Sequence, residues 1–105
     1  MALTLDQLEQ GDCFVIKAQG EIDLYTSPQL REQILKGGAK SGATLAVDLG
    51  GVAYMDSSGV ATLVEGLKAA NKGNSAFVLL SPSHAVMKVL QLSRLDSIFD
   101  IRDTL

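Results

Sequence analysis

One segment of this sequence repeats apolar residues with the period of an α-helix, and it lies between two short apolar runs. Its apolar positions fall at i, i+3, i+4 and i+7 and are Val60, Leu63, Val64 and Leu67. That spacing places them on one face of a helix, while Thr62, Glu65 and Lys68 point in other directions. The flanking runs, residues 45–49 and 76–80, have the length and composition of buried strands. A helix between two such strands predicts a β-α-β unit with parallel strands, and therefore an α/β fold.

Further strand signals lie on both sides of this unit. Residues 3–5 and 13–18 are predicted to form a hairpin joined by the polar stretch 9–12, and residues 20–23 are predicted to be a loop. Gly50-Gly51 is expected to end the strand of residues 45–49 and to precede a separate segment, residues 52–55. Residues 71–74 close the second helix, and residues 98–101 are expected to form a last short edge strand.

Two Ser-Pro pairs predict the starts of a first and a third helix. In Ser27-Pro28 and Ser81-Pro82 the serine can serve as N-cap and the proline fits the first helical position. The first helix should end at Gly37-Gly38. Its apolar stripe is Leu30, Ile34 and Leu35, and that of the third helix is Val86, Val89 and Leu90. Strands that alternate with helices after a hairpin predict a mixed, mainly parallel sheet in a single domain, residues 1–105.

The composition argues against several classes of protein. A net charge of −3 without a basic cluster, and only 5% aromatic residues, offer nucleic acid no obvious binding surface. No apolar run approaches the roughly 18 to 20 residues of a membrane span, and the first residues lack the order of a signal peptide, so we expect a cytoplasmic protein without membrane insertion. The single cysteine, Cys13, lies in an apolar run and is expected to be a buried, unreactive thiol.

The tetrapeptide Asp56-Ser57-Ser58-Gly59 immediately precedes the second predicted helix. The free backbone N–H groups and the positive dipole end of a helix N-terminus favour a hydroxyl acceptor there, and favour a phosphate still more. On spacing alone, Ser57 or Ser58 is a simple N-cap with Gly59 allowing a tight turn. Capping and phosphorylation are compatible, because one serine can cap the helix while its neighbour presents its hydroxyl to solvent.

A catalytic role for these serines lacks a general base. A nucleophile elbow would have glycine where Met55 stands, and the only histidine, His84, is expected to face solvent in the first turn of the third helix. One histidine and one cysteine cannot form a metal site without clustered carboxylates, and no phosphate-binding glycine motif is present. The sequence therefore predicts a protein without catalytic residues, metal or cofactor.

Two carboxylates, Glu21 and Asp23, fall in the loop predicted after the second strand. In this architecture that loop can approach the serine segment. From the sequence alone they are either solvated loop residues or, if they lie close to the serines, an acidic rim that a kinase or a basic partner could recognise.

Three segments together resemble the STAS domain family of anti-sigma factor antagonists. They are Gly20-Glu21-Ile22-Asp23, Val47-Asp48-Leu49 and Tyr54-Met55-Asp56-Ser57-Ser58-Gly59-Val60, with support from Leu92-Ser93-Arg94-Leu95 followed by Phe99. The resemblance covers nearly the whole chain. It implies the STAS fold, a mixed sheet of four or five strands with helices mainly on one side, and a function without catalysis.

The resemblance further implies a partner switch. In such proteins the unphosphorylated antagonist binds an anti-sigma factor that is also a serine kinase, which frees the sigma factor; phosphorylation ends the interaction and a PP2C-type phosphatase resets it. The acceptor is typically the residue after the aspartate, here Ser57, with Ser58 as the neighbouring cap and second candidate acceptor. The residues implied to contact the partner are Glu21, Asp23, Asp56, Ser57, Ser58, Gly59 and Thr62.

Two features depart from the family pattern. Val60-Ala61 replaces the Leu-Gly that often follows Ser-Ser-Gly, which is a conservative change on the buried side of the helix. Many members carry a further C-terminal helix, whereas residues 101–105 offer one helical turn at most, so we expect a less covered sheet edge and a homodimer or another assembly there. STAS domains also serve as accessory subunits of ABC-type lipid transporters that dock on the ATPase, and this alternative function stays open.

Overall fold

The computed structural model describes residues 2–37 and 42–105, which form a five-stranded sheet and three helices. The elements in chain order are β1 (Leu3–Gln10), β2 (Cys13–Ile22), α1 (Ser27–Gly37), β3 (Thr44–Met55), α2 (Ser57–Lys72), β4 (Ala76–Leu80), α3 (His84–Leu92) and β5 (Asp100–Arg102). The helix and strand signals of the sequence thus all correspond to real elements. Gly38, predicted to help end the first helix, lies outside the described residues.

The spatial order of the strands follows the chain, β1-β2-β3-β4-β5. β1 is antiparallel to β2, and each later pair is parallel. Each parallel connection steps to the next strand in the same direction and contains one helix. Because such crossovers are right-handed, all three helices lie on the same face of the sheet. The predicted mixed sheet with helices mainly on one side is therefore confirmed.

The main core lies between this sheet face and the helices. Strand residues such as Ile16 and Val47 and helix residues such as Leu30, Leu63 and Leu90 are fully buried in one apolar cluster. Each such side chain stabilises the fold by about 1.5 to 3 kcal/mol relative to exposure. The core therefore holds all three helices against the sheet.

The opposite sheet face carries a smaller apolar cluster. Ala46, Val78 and Leu80 are buried there, and Cys13 and Val15 pack against them. Cys13 is only half-buried, so the prediction of a buried thiol is wrong. Its position near the start of β2 leaves part of the side chain at the rim of this cluster.

Three strands are longer than predicted. β1 continues to Gln10, so that the hairpin turn is confined to Gly11 and Asp12. β2 continues to Ile22 and includes most of the predicted loop 20–23. β3 runs without a break from Thr44 to Met55 through Gly50-Gly51. A Cβ on Gly51 would lie 2.8 Å from Gln19 Cγ, so this glycine permits close contact between strands where the register shifts and does not form a turn.

The helix starts also differ from the predicted Ser-Pro caps. α1 begins at Ser27 itself, and α3 begins at His84 with Ser83 as its N-cap. Ser81 instead has φ 44° and its N–H donates to the Arg102 carbonyl of β5 at 2.7 Å. Ser83 is the cap because its hydroxyl both accepts from the Val86 N–H and donates to the Val52 carbonyl.

Two side chains predicted from helical periodicity lie on unexpected sides. Leu35, assigned to the buried stripe of α1, is 36% exposed, whereas Thr62, assigned to an outer direction of α2, is buried. His84 is exposed, as predicted. The last predicted strand is present as β5 at the sheet edge, beginning after Phe99, whose ring packs against Phe77 with centroids 6.3 Å apart.

Candidate functional site

The candidate site forms where β2 and β3 end side by side. Ile22, the last residue of β2, pairs with Met55, the last residue of β3. The Asp56 N–H donates to the Ile22 carbonyl at 3.2 Å. Asp23 and Asp56, the residues directly after the two strands, therefore lie next to each other. The loop after β2 therefore does approach the serine segment, because parallel strands deliver their carboxyl ends to the same sheet edge.

The N-terminus of α2 is capped by Asp56. Its backbone is extended, with φ −110° and ψ −170°, and its Oδ1 accepts hydrogen bonds from the Ser58 N–H at 3.0 Å and the Ser58 hydroxyl at 2.5 Å. Its carbonyl accepts from the N–H groups of Gly59 and Val60. The prediction of Ser58 as the cap is therefore wrong. Aspartate and serine are both good N-caps, but only Asp56 has the extended backbone that a cap requires.

The two serines of the tetrapeptide consequently have different surroundings. Ser58 is half-buried and its hydroxyl is held by the Asp56 carboxylate. Ser57 is the first residue of α2 and is exposed, and its hydroxyl makes no hydrogen bond to any other described residue. The hydroxyl that a second protein can reach is therefore that of Ser57.

Gly59 holds the start of α2 close to the sheet. A Cβ added to this residue would lie 2.7 Å from Met55 Cγ and 2.8 Å from Ile22 Cγ2, closer than real Cβ contacts allow. The ends of β2 and β3 thus pack directly on the helix backbone at its third residue. This contact fixes the height at which Ser57 is presented above the sheet edge.

Asp23 organises the connection from β2 to α1. Its Oδ1 accepts from the N–H groups of Tyr25 at 2.9 Å and Thr26 at 3.0 Å, and it lies 3.1 Å from the Thr26 hydroxyl. Partial desolvation acts to raise the pKa of Asp23, but these hydrogen bonds to the charged form outweigh it and hold the pKa below its ordinary value. The carboxylate is therefore not simply solvated: it fixes the shape of this loop.

Glu21 lies in β2 opposite Tyr54 of β3, so its assignment to a loop is wrong. Its side-chain atom Oε2 is buried and has no hydrogen-bond partner among the described residues.

Thr62 also differs from expectation, because its hydroxyl donates to the Ser58 carbonyl at 3.0 Å and only 6% of its surface is exposed. We therefore leave Thr62 out of the surface offered to a partner.

Two large apolar side chains beside the site were missed in the sequence analysis. Leu24 and Tyr25, in the loop after β2, are 70% and 86% exposed. The signal was available, since two adjacent large apolar residues in a segment between strand and helix are unusual unless they contact something. They extend the accessible surface from Ser57 toward the start of α1.

A groove between α2 and α3 was also missed. It has a volume of about 700 Å³ and begins at Ser57. Its other lining residues are Val60, Ala61, Val64, Glu65, Lys68, Val89, Leu92, Ser93 and Leu95. We call it the α2–α3 groove. No periodicity could reveal it, because it depends on how two helices are placed on the sheet.

Among the described residues, no side chain forms a hydrogen bond with the Ser57 hydroxyl. In residues 2–37 and 42–105, no group of three or more His, Cys, Asp or Glu side chains is placed to hold a metal ion. The only histidine, His84, opens a different helix and does not line the α2–α3 groove. Within the same described ranges, no helix is long and apolar enough to cross a membrane. The arrangement can present a hydroxyl to another protein's chemistry.

Comparisons with known proteins agree with this description. The family model for the STAS domain matches residues 5–105. An anti-sigma-B factor antagonist of Listeria monocytogenes is 33% identical over 84 residues, which are 80% of this chain and 74% of that protein. A crystal structure of an anti-sigma factor antagonist from Mycobacterium paratuberculosis has a TM-score of 0.87 at 27% identity, covering 99% of this chain and 88% of that chain.

A second solved structure is the Bacillus cell fate determinant SpoIIAA in its phosphorylated form. It has a TM-score of 0.71 at 27% identity, covering 98% of this chain and 92% of that chain. The matches cover 74 to 92% of these relatives' lengths, and the STAS family model spans residues 5–105 of this chain. The chain belongs to the STAS domain family.

Proposed function

We propose that this protein is an anti-sigma factor antagonist: it binds an anti-sigma factor that is also a serine kinase, and phosphorylation of Ser57 ends the interaction. The observation that carries the proposal is the exposed, uncommitted hydroxyl of Ser57 at the start of α2. The named antagonists among its relatives support the binding role, and the phosphorylated Bacillus relative supports a phosphate on this fold.

Ser57 is a better acceptor than Ser58 for a physical reason. A phosphate on Ser58 would remove the hydrogen bond to Asp56 and place two negative groups together at the cap. Loss of a hydrogen bond to a charged group typically costs about 1.5 to 3 kcal/mol of stability. A phosphate on Ser57 disturbs no described hydrogen bond, so the reaction leaves the fold as it is.

The phosphate would act on the interface and not on the fold. It adds about −1.5 to −2 of charge at pH 7 beside the carboxylates of Asp56 and Asp23. The Ser58 N–H is already bonded to Asp56 Oδ1, and the Gly59 and Val60 N–H groups to its carbonyl. The phosphate therefore stays largely hydrated. Burying it against a partner carries a desolvation penalty, and about 1.4 kcal/mol of such penalty weakens binding tenfold.

In this scheme the chain supplies the acceptor, and its partners supply the chemistry. The kinase brings ATP and the general base, and a PP2C-type phosphatase removes the phosphate. Glu21, Asp23, Asp56 and Gly59 shape the surface around Ser57, and the process takes place in the cytoplasm. A role as an ABC-transporter subunit would use the same end of α2, but no particular contact favours it and the named relatives favour the antagonist.

Binding measurements on charge-mimicking variants test this function. The purified anti-sigma factor of the source organism is titrated with wild type, Ser57→Ala and Ser57→Asp by isothermal calorimetry. We expect Ser57→Ala to bind as wild type does, and Ser57→Asp to bind at least about tenfold more weakly, since a carboxylate must be desolvated in the interface.

Ser97→Asp is the matched control, because it adds the same charge at an exposed serine in the segment before β5. It should bind like wild type. Equal affinities for Ser57→Ala and Ser57→Asp would contradict control by phosphorylation at this residue.

A further inference from the structure

The α2–α3 groove is an apolar channel that leads away from Ser57. Val60, Ala61 and Val64 of α2 form one wall, and the other wall includes Val89 and Leu92 of α3. From Ser57 to Lys68 it follows α2 over 11 residue-to-residue steps, which at 1.5 Å each is about 16 Å, or three helical turns. The groove is therefore long enough for a short helix.

The groove presents apolar surface that the fold itself leaves exposed. Leu92 is 76% exposed, the largest exposed fraction among the leucines of the described residues, while Val64 and Leu95 are half-buried. An exposed leucine that lines this groove contributes little to the fold. It can contribute substantially to an interface, where burial of a leucine side chain stabilises the complex by about 1.5 to 3 kcal/mol.

The available charge along the groove is positive. Glu65 is bound by Arg31 of α1, whose Nε and Nη2 donate to the two carboxylate oxygens at 2.7 and 2.9 Å. These hydrogen bonds lower the pKa of Glu65, so it stays ionised and paired. Lys68 is exposed and makes no ion pair with any other described residue. A partner segment that complements this groove carries a carboxylate opposite Lys68.

Both walls come from helices or the turn that follows one, and this determines the kind of segment that fits. Helical backbone groups are bonded within the helix, so the walls offer no unpaired strand edge for an extended peptide to join. An amphipathic helix instead needs apolar surface for its inner face and charge at its flank. The groove provides both.

We propose, on the basis of the function proposed above, that the α2–α3 groove binds an amphipathic helix of the anti-sigma factor kinase, with an acidic residue of that helix at Lys68. The helix docks on α2 and brings the kinase to Ser57 at the end of the groove. A phosphate on Ser57 adds a hydrated charge at that end of the groove, which must be desolvated when the kinase docks.

Steady-state phosphorylation separates docking from chemistry. The purified kinase and ATP are used with wild type, Leu92→Asp and Lys68→Glu. If the groove is the docking site, Leu92→Asp should raise the KM for this protein about tenfold, the effect of losing a residue that contributes strongly to the binding free energy. The kcat should stay unchanged. Lys68→Glu should raise KM less, and added salt should reduce its effect, because exposed charge pairs are screened.

Leu8→Asp and Lys72→Glu are the matched controls. Leu8 is an exposed leucine on β1, and Lys72 is a lysine one turn beyond Lys68 that does not line the groove. Both should leave KM at the wild-type value. Thermal unfolding of each variant establishes that it is folded.

Three outcomes would overturn the docking proposal, and they differ in what they imply. An unchanged KM for both Leu92→Asp and Lys68→Glu removes the groove from the interface and leaves the proposed function intact. A wild-type dimer in sedimentation that Leu92→Asp converts to monomers assigns the groove to a second copy of the chain. A wild type that neither binds the kinase nor is phosphorylated refutes the proposed function, and the docking proposal fails with it.

Discussion

The starts of α2 and α3 use serine in opposite ways. Both helices follow a parallel strand at the same sheet edge, and both carry a serine at or next to the N-cap. At α3 the Ser83 hydroxyl is the cap: it accepts from the Val86 N–H at 3.2 Å and donates to the Val52 carbonyl at 2.6 Å. At α2 the cap is the Asp56 carboxylate, and the Ser57 hydroxyl beside it has no hydrogen-bond partner among the described residues.

This difference separates a structural serine from one available for chemistry. Aspartate caps with an acceptor alone, so the adjacent serine need not satisfy the helix N-terminus. A serine cap must direct its hydroxyl inward, as Ser83 does. The presence of Asp56 is therefore what leaves Ser57 free.

The third residue of each helix shows the same contrast in packing. It is Val86 in α3, fully buried in the core, and Gly59 in α2, where the ends of β2 and β3 occupy the space of a side chain. Replacing Gly59 with valine would make α2 resemble α3 and should have the largest effect on stability. We expect a loss of about 1 to 3 kcal/mol, the usual cost of overpacking a core.

Urea denaturation measures this loss. Gly73→Ala at the end of α2 is the control, because the nearest atom to its added Cβ would be the Ala69 carbonyl oxygen at 3.4 Å, an ordinary contact. A Gly59→Val variant as stable as wild type would show that the close packing of α2 on the strand ends is not required.

Alanine substitutions compare the capping residues directly. Ser83→Ala and Asp56→Ala should each lower the free energy of unfolding by about 0.5 to 2 kcal/mol, because each removes two hydrogen bonds at the start of a helix. Ser57→Ala should change it by less than about 0.5 kcal/mol, as expected for an exposed side chain without partners. Chemical denaturation of the three variants gives the order. A loss for Ser57→Ala as large as that for Ser83→Ala would abolish the contrast.

Asp23 adds a pH-dependent contribution near the start of α1. Partial desolvation acts to raise its pKa, but hydrogen bonds from Thr26 and Tyr25 hold the folded-state pKa below the unfolded one. Its contribution is thus fully present above the unfolded pKa and is lost as the pH falls through the folded value. Unfolding measured from neutral to acidic pH should show Asp23→Asn less stable than wild type at neutral pH, with the difference shrinking in acid. A difference independent of pH would contradict this assignment.

The parts of the fold that the sequence predicted are those where one local signal dominates. β4 was predicted with its observed bounds because residues 76–80 are uniformly apolar between polar segments. α2 was predicted because its apolar period is regular, and its first residue, Ser57, lies in the segment expected at or just before the helix start. Parallel strand topology allowed the loop after β2 to approach the serine segment, and the pairing of Ile22 with Met55 decides between the two alternatives left open by the sequence.

The errors arise where one residue type serves two purposes. Glycine permits turns and also close contact between strands. Gly50-Gly51 was predicted to end a strand, but it lies within β3. Asp56 and Ser58 are both good caps, and the choice depends on backbone torsion angles. Thr62 is polar but buried because its hydroxyl bonds to a carbonyl one turn earlier. The α2–α3 groove depends on tertiary placement, which periodicity does not contain.

Mapping the phosphate is the most direct test of the central claim, that Asp56 caps α2 and leaves Ser57 as the acceptor. Wild type, Ser57→Ala and Ser58→Ala are incubated with the anti-sigma factor kinase and ATP and analysed by tandem mass spectrometry. We expect one phosphate on Ser57 in wild type and in Ser58→Ala, and none in Ser57→Ala. Phosphate on Ser58 in wild type, or undiminished phosphorylation of Ser57→Ala, would contradict it.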